Sequence, residues 1–198
     1  MEDPKKQPWI AAGYRTFAFD GPQAIKVERL AKTVGKNKSS FYHHFADLEV
    51  FTNLLLEEHM NQVQQISAQE AQAQDQAGLI NVMVHHKMDL LFNRQLRFHR
   101  ENPDFEACYL ETNQQTAHSI GMVWMKVLGL EDHSYLAGLV LKLSIDNFFL
   151  QITEENLNPD WLGAYFTELR IMVQEFKKMG GALPFGQPIN SKVSGQPE

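Results

Sequence analysis

Cysteine is almost absent from this sequence, since Cys108 is the single cysteine among 198 residues. One thiol excludes an intramolecular disulfide framework and a zinc site built from several cysteines. A reducing compartment is therefore the simpler expectation, which favours the cytoplasm.

Long apolar runs are also missing. No stretch approaches the roughly 18 uncharged apolar residues that a membrane-spanning helix needs. The first eight residues carry Lys5 and Lys6 but lack the apolar core and small-residue cleavage site of a signal peptide. We expect a cytoplasmic protein without a membrane segment or a secretion signal.

Residue patterns of common enzymes are absent as well: there is no phosphate-binding loop, no nucleophile elbow and no H-E-x-x-H. The histidines that could suggest a metal are the pair His85-His86 and the scattered His99, His118 and His133. No i, i+4 pair of histidine and carboxylate stands out among them. We expect no enzyme, no cofactor and no metal site, unless a deep pocket holds two titratable groups within hydrogen-bond reach.

Charge is unevenly distributed along the chain. The formal net charge is −6, yet residues 1–51 hold eight Lys and Arg against six Asp and Glu. The remainder has a net charge of −8. A small basic module attached to an acidic body is consistent with a nucleic-acid-facing segment at the N-terminus.

Apolar residues recur at three and four positions almost throughout, which predicts an all-α fold. Near the N-terminus, this periodicity and the turn residues predict three short helices. The first ends at Gly21-Pro22, the second ends at Gly35, and the third has Asn37 as its N-cap, with Phe41 and Phe45 turned inward. Three short helices joined by tight turns indicate a compact bundle, which we assign to residues 1–47.

The rest of the chain predicts a larger helical domain over residues 48–179. A long helix capped by Asp47 fades into the polar stretch 62–76 and joins the two domains. Further helices are predicted over about 79–100, 103–113, 114–128, 134–152 and 159–179. Gly180 is placed as a C-cap, and the composition of residues 180–198 predicts a mobile tail.

The third predicted helix carries the most informative pattern. With Phe41 and Phe45 inward, its other face turns Lys38, Ser39, Tyr42 and His43 outward. These groups can contact phosphates and base edges, as a recognition helix in a major groove does. The same face also fits a solvated surface helix.

The whole segment decides between these interpretations. Its pattern is Phe17-x3-Gly21, then Val27-x2-Leu30-Ala31-x2-Val34-Gly35, then Phe41-Tyr42-x2-Phe45-x3-Glu49-x-Phe51. Over about residues 9–51 this resembles the N-terminal domain of the TetR family of transcriptional regulators. The resemblance implies a helix-turn-helix over Val27–Thr33 and 38–44, and a homodimeric repressor of a palindromic DNA operator. The DNA-binding residues expected on this basis are Lys26, Lys36, Asn37, Lys38, Ser39, Ser40, Tyr42, His43 and His44.

Three positions depart from the family pattern. Lys26 replaces the usual threonine, Lys36 replaces an apolar residue, and Leu48 replaces the lysine that anchors a phosphate. The two added lysines compensate for the lost one if the phosphate contacts are rearranged. A helical interaction module that has lost specific DNA binding is the alternative.

The resemblance also implies that the C-terminal helices pair across a two-fold axis. The apolar faces of the last two predicted helices supply the expected dimer interface: Leu136, Val140, Leu143, Leu162, Tyr165, Phe166, Leu169, Met172, Val173 and Phe176. Packing within one chain explains the same pattern.

A small-molecule pocket inside the C-terminal domain is the last expectation from the resemblance. The candidate lining residues are Met83, His86, Met88, Phe92, Phe105, Cys108, Tyr109, Trp124 and Phe149. Such Met and aromatic residues at helical spacing also suit an ordinary core.

Overall fold

A computed structural model describes residues 4–179, except the side chains of His118, Ile120, Met122, Ser134 and Met179. The described part is helical and contains no strand, which confirms the predicted fold class. Its α-helices are α1 (Gln7–Asp20), α2 (Val27–Thr33), α3 (Lys38–His44), α4 (Leu48–Gln72), α5 (Gln76–His85), α6 (Lys87–Phe98), α7 (Pro103–Leu128), α8 (Ser134–Gln151) and α9 (Pro159–Met179). The predicted tail, 180–198, and the C-cap at Gly180 lie outside the described residues.

Local capping explains where several helices begin. The side chains of Asn37 and Asp47 accept hydrogen bonds from the backbone N–H groups of Ser40 and Val50, each at 2.8 Å. Asn102 does the same for the first turn of α7, where Pro103 is the first helical residue. These three predicted caps are confirmed.

Two predicted boundaries are wrong. The helix expected over 79–100 is broken at His86, whose buried ring hydrogen-bonds to Asp89 Oδ2 at 3.0 Å and Gln69 Oε1 at 3.1 Å. These tertiary contacts stabilise the break between the two helices, although neither a glycine nor a proline is present there. Conversely, residues 103–128 form one helix, because the polar stretch around Thr112 packs against α4, with Thr112 donating to Met60 Sδ.

The core runs through the whole described part without interruption. In the N-terminal bundle, Phe41 packs on Trp9 with ring centroids 5.5 Å apart. At the other side of α1, Tyr14 and Phe17 stack on Phe92 of α6, with centroids 4.4 and 4.1 Å apart. Helix α1 therefore ties the helix-turn-helix to the larger helical body.

Gly13 lets α1 approach α4 closely. A Cβ atom at this position would lie 2.5 Å from Phe51 Cζ and 3.2 Å from Leu55 Cδ1. Phe51 cannot move away easily, since it is fully buried against Phe41 and Phe45. We expect Gly13→Ala to lower the free energy of unfolding by about 1–3 kcal/mol, measured by urea denaturation.

Gly163 of α9 is the control for this substitution, because nothing lies within 4 Å of a Cβ atom there. Gly163→Ala should raise the stability by about 0.5–1 kcal/mol through helix propensity. Equal effects of the two substitutions would contradict the close approach of α1 and α4.

Candidate DNA-binding surface and interior cavity

Helix α3 is held in place by its apolar side. Phe41 is fully buried, and its ring contacts Trp9, Phe45 and Phe51. The turn before α3 contains Gly35 at φ 65°, a conformation that favours glycine. Only one face of α3 is therefore left for a partner.

The residues that the sequence predicts lie on α3 and directly before α2 and α3. Tyr42 is 58% exposed, although its ring still touches Phe41 edge-on at 5.4 Å. The other predicted residues are exposed or half-buried: exposed are Lys26, Lys36, Asn37, Lys38, Ser39 and His43, and half-buried are Ser40 and His44. The structure therefore brings all of them to the surface of the α2–α3 unit.

Part of the positive charge on this surface is neutralised within the chain. Lys38 of α3 forms an exposed ion pair with Glu28 of α2. The hydrogen bond from Lys38 lowers the pKa of Glu28. No ion pair of the described residues engages Lys26 or Lys36. These two lysines are the ones that depart from the family pattern.

Leu48 and Lys26 lie at the N-terminal ends of two helices. Leu48, the first residue of α4, is half-buried and lines a surface groove with Ile25 and Phe105. Its side chain packs against the core. Lys26 is the N-cap of α2 and makes no side-chain capping bond there, which a threonine could make.

An interior cavity of about 80 Å³ lies in the helical body. Four lining residues, His59, Val63, Ile66 and Glu70, follow one face of α4. The remaining lining residues are Met83, Leu90, Asn93, Thr112, Asn113, Thr116, Trp124, Leu141, Ser144, Ile145, Phe148, Phe149, Tyr165 and Phe166. Polar groups thus interrupt a mainly apolar and aromatic wall.

Three of the nine predicted pocket residues line this cavity: Met83, Trp124 and Phe149. The other six lie elsewhere: His86, Met88, Phe92, Phe105, Cys108 and Tyr109. Phe92 is fully buried in the aromatic stack below α1. Burial raises the pKa of Cys108 to about 11, so its thiol is unreactive near neutral pH.

A buried hydrogen-bond chain links the cavity to α1, and no pattern in the sequence predicts it. The hydroxyl of Tyr14 donates to Asp89 Oδ1 at 2.7 Å and lies 2.7 Å from His59 Nδ1. Since the one phenolic hydrogen goes to Asp89, His59 Nδ1–H donates to Tyr14 and leaves Nε2 as an acceptor. Asp89 also accepts from His86 at 3.0 Å.

Burial determines the protonation states of His59 and Tyr14 in this hydrogen-bond chain. It lowers the pKa of His59 to about 4, against an attraction from Asp89 that acts in the opposite direction. Burial, followed by the charge of Asp89, raises the pKa of Tyr14. His59 is therefore neutral and weakly basic at pH 7, which gives no support to a role as a general base.

Trp124 Nε1, in the cavity wall, is buried without a hydrogen-bond partner. His59 and Asn93 interact with each other, since a side-chain hydrogen bond with Asn93 raises the pKa of His59 and so opposes the effect of burial. Unpaired buried polar atoms are uncommon in proteins and each costs free energy. Trp124 Nε1 is therefore an unused hydrogen-bond donor beside the cavity.

Glu70 is the acid of the cavity wall. It is 3% exposed, and burial raises its pKa from 4.5 to about 7, although a hydrogen bond from Ser119 Oγ at 3.2 Å opposes this. Between pH about 4.5 and 7 the folded protein therefore holds a proton that the unfolded chain releases. Stability should fall across this window as the pH rises, by about 3 kcal/mol in total.

Glu70→Gln tests this pH dependence. We expect the free energy of unfolding of the variant, relative to the native protein, to rise by about 3 kcal/mol from pH 4.5 to 7. The lowered pKa of His59 has the opposite effect, because it makes the protein more stable as the pH rises from about 4 to 6.5. This effect is the same in the variant and in the native protein, so it cancels when the two are compared. Denaturation at several pH values measures the difference. Glu57→Gln, exposed on the same helix, should show a constant difference, and a constant difference for Glu70→Gln would contradict the account.

The predicted dimer residues divide into two groups. Exposed or half-buried are Leu136, Leu143, Leu169, Met172 and Phe176, whereas Val140, Leu162, Tyr165, Phe166 and Val173 are buried within the subunit. Tyr135, Leu139 and Leu150 of α8 are exposed as well, and the prediction did not include Tyr135 and Leu150. Tyr135, Leu139 and Leu143 are spaced by four, so they form one apolar stripe along α8.

Comparison with solved structures of known proteins identifies the fold of this chain. No protein-family model matches the chain. A solved structure of a transcriptional regulator from Rhodococcus is similar, with a TM-score of 0.62, 14% identity and coverage of 87% of this chain and 97% of that one. A TetR-family transcriptional regulator from Mesorhizobium loti gives a TM-score of 0.55, 16% identity and coverage of 90% and 98%. The chain therefore has the TetR-like fold, as the N-terminal motif predicts.

One curated relative is similar in sequence: the HTH-type transcriptional repressor AcnR of Corynebacterium diphtheriae, with 31% identity over 108 residues. The match covers 54% of this chain and 47% of AcnR, so it spans about half the length of that repressor. In residues 4–179 no helix is long and apolar enough to cross a membrane. The described side chains contain no group of three or more that could hold a metal ion.

Proposed function

We propose that this protein is a cytoplasmic transcriptional repressor that binds a palindromic DNA operator as a homodimer. Residues 1–47 form the DNA-binding domain and residues 48–179 the regulatory and dimerisation domain. The observation that carries the proposal is the surface of α3 and of the turn before it, where Tyr42 and Lys36 are exposed, on a helix that the buried Phe41 fixes. The similarity to transcriptional regulators supports it.

Dimerisation is supported by the apolar side chains that α8 and α9 leave exposed. Leu143 is 62% exposed and Tyr135 82% exposed, and Phe176 of α9 is also exposed. Exposed apolar groups of this size on neighbouring helices are typical of an interface. Two recognition helices related by a two-fold axis would contact two half-sites about one helical turn of DNA apart.

Regulation by a small molecule is supported by the course of α4. This helix starts at Leu48, four residues after α3 ends, and its later turns line the cavity with His59 and Glu70. A ligand that displaces α4 at the cavity therefore changes the position of α3 as well. We propose that a bound effector lowers operator affinity in this way.

Replacing Tyr42 tests the DNA-binding surface. We expect Tyr42→Ala to weaken binding about 100-fold, because a hydrogen bond to a charged group contributes about 1.5 kcal/mol and each dimer loses two. Fluorescence anisotropy with a duplex that the native protein selects from a random pool measures this.

Leu110→Ala is the matched control, because Leu110 is also 58% exposed but lies on α7. It should leave DNA affinity unchanged, and both variants should keep the native melting temperature within a few degrees. If Tyr42→Ala binds as the native protein does, Tyr42 has no role at the phosphate. If the native protein selects no duplex, the alternative of an interaction module without DNA binding gains support.

A further inference from the structure

Glu70 has no basic partner among the side chains that the structure describes. No ion pair includes it, and its one described polar partner is the hydroxyl of Ser119. Ser119 Oγ also lies 3.0 Å from the carbonyl oxygen of Thr116, and its single hydrogen can serve one of the two acceptors. The carboxylate is therefore poorly compensated when it is ionised.

The hydroxyl groups of the cavity wall can accept hydrogen bonds, because their own hydrogens are already donated. Thr112 gives its hydroxyl hydrogen to Met60 Sδ, Thr116 to the carbonyl of Thr112, and Tyr165 to the carbonyl of Ser144. Each hydroxyl keeps lone pairs that can accept a hydrogen bond. The unpaired ring donor of Trp124 is an exception to this surplus of acceptors.

Aromatic rings complete the wall. Trp124 and Phe166 pack edge-on with centroids 5.5 Å apart, and Phe149 also lines the cavity. Aromatic faces attract organic cations, and the attraction grows when water is excluded. The cavity thus combines three features: a buried acid that has no described basic partner, oxygens that can accept hydrogen bonds, and aromatic rings. Together they are complementary to a positively charged donor.

We propose that the cavity binds a small organic ammonium ion, with the carboxylate of Glu70 as its counter-ion and Trp124 and Phe149 among the aromatic groups around it. The proposal rests on the proposed function, since it assigns a chemical class to the effector of that cavity. The volume of about 80 Å³ limits the size of the ion. A cavity of about 150 Å³ accepts benzene, so roughly three to four non-hydrogen atoms fit here without rearrangement.

Propylammonium and its neutral isostere 1-propanol are the probes. Titration of the full chain, followed by the indole N–H resonances in 1H–15N NMR spectra, reports binding at Trp124, with Trp9 in the N-terminal bundle as an internal control. We expect propylammonium to shift the Trp124 resonance but not that of Trp9, and to bind at least tenfold more tightly than 1-propanol.

Glu70→Gln keeps the shape of the side chain and removes its charge. It should weaken propylammonium at least tenfold and leave 1-propanol unchanged, whereas Glu57→Gln should change neither. Because Glu70 with a pKa of about 7 becomes ionised between pH 6 and 8, affinity of the native protein should rise about tenfold over that range. The variant should lose this dependence, since the amine stays charged throughout.

Two results would overturn the cation site: equal affinities for propylammonium and 1-propanol, or propylammonium binding that is insensitive to Glu70→Gln and to pH. Duplex binding is measured in parallel on protein without amine. If propylammonium binds as expected but the protein binds no DNA, the proposed function is overturned and the cation site is supported. DNA binding without a Trp124 shift overturns the cation site alone.

Discussion

Replacing Leu143 by glutamate should convert the proposed dimer to a monomer and lower operator affinity more than 100-fold. Leu143 lies on the exposed apolar stripe of α8. In a two-fold interface the substitution occurs twice, and each buried carboxylate without a partner costs several kcal/mol. A monomer offers one recognition helix, so it also loses the contacts of the second half-site. Light scattering after gel filtration and anisotropy measure both effects.

Leu110→Glu on α7 is the matched control, since Leu110 is exposed to a similar extent as Leu143. It should leave both the mass and the operator affinity unchanged. Phe176→Glu on α9 should repeat the effect of Leu143→Glu. If both Leu143→Glu and Phe176→Glu remain dimeric with native affinity, α8 and α9 do not form the interface.

Removing the hydroxyl of Tyr14 should destabilise the protein by about 3 kcal/mol. In Tyr14→Phe, Asp89 loses one hydrogen bond and His59 Nδ1–H loses its partner, and both groups are buried. Each unsatisfied buried group costs about 1–3 kcal/mol. For a chain of this length we expect the melting temperature to fall by roughly 6–12 °C.

Tyr165→Phe is the comparison for this prediction. Tyr165 is also buried, but its hydroxyl makes one described hydrogen bond, to the carbonyl of Ser144 at 2.8 Å. Its loss should cost about 1 kcal/mol. Equal losses in the two variants would show that the chain from Tyr14 to Asp89 and His59 contributes no more than a single bond.

Much of the fold could be predicted because its signals are local. Asn37, Asp47 and Asn102 each cap a helix within three residues, and capping side chains act on their own first turn. The face of α3 follows from the spacing of Phe41 and Phe45 alone. These features need no knowledge of the rest of the chain.

The cavity was harder to predict because tertiary packing creates it. Glu70 and His59 lie in a helix whose sequence is polar, and burial by distant helices gives them their role. Apolar residues such as Phe92 and Leu162 cannot be assigned to a core, a pocket or an interface from periodicity, since all three have the same pattern. Lone acids and histidines on apolar helix faces are the signal that sequence reasoning left unused.

The measurement that tests the central claim most directly is selection of random duplexes by the native protein, with the affinity for the enriched sequence then followed against salt concentration. We predict enrichment of a palindrome and a linear fall of log affinity with log salt, steep enough for several phosphate contacts per dimer. Absence of any enriched sequence at low salt would contradict the account of a DNA-binding regulator.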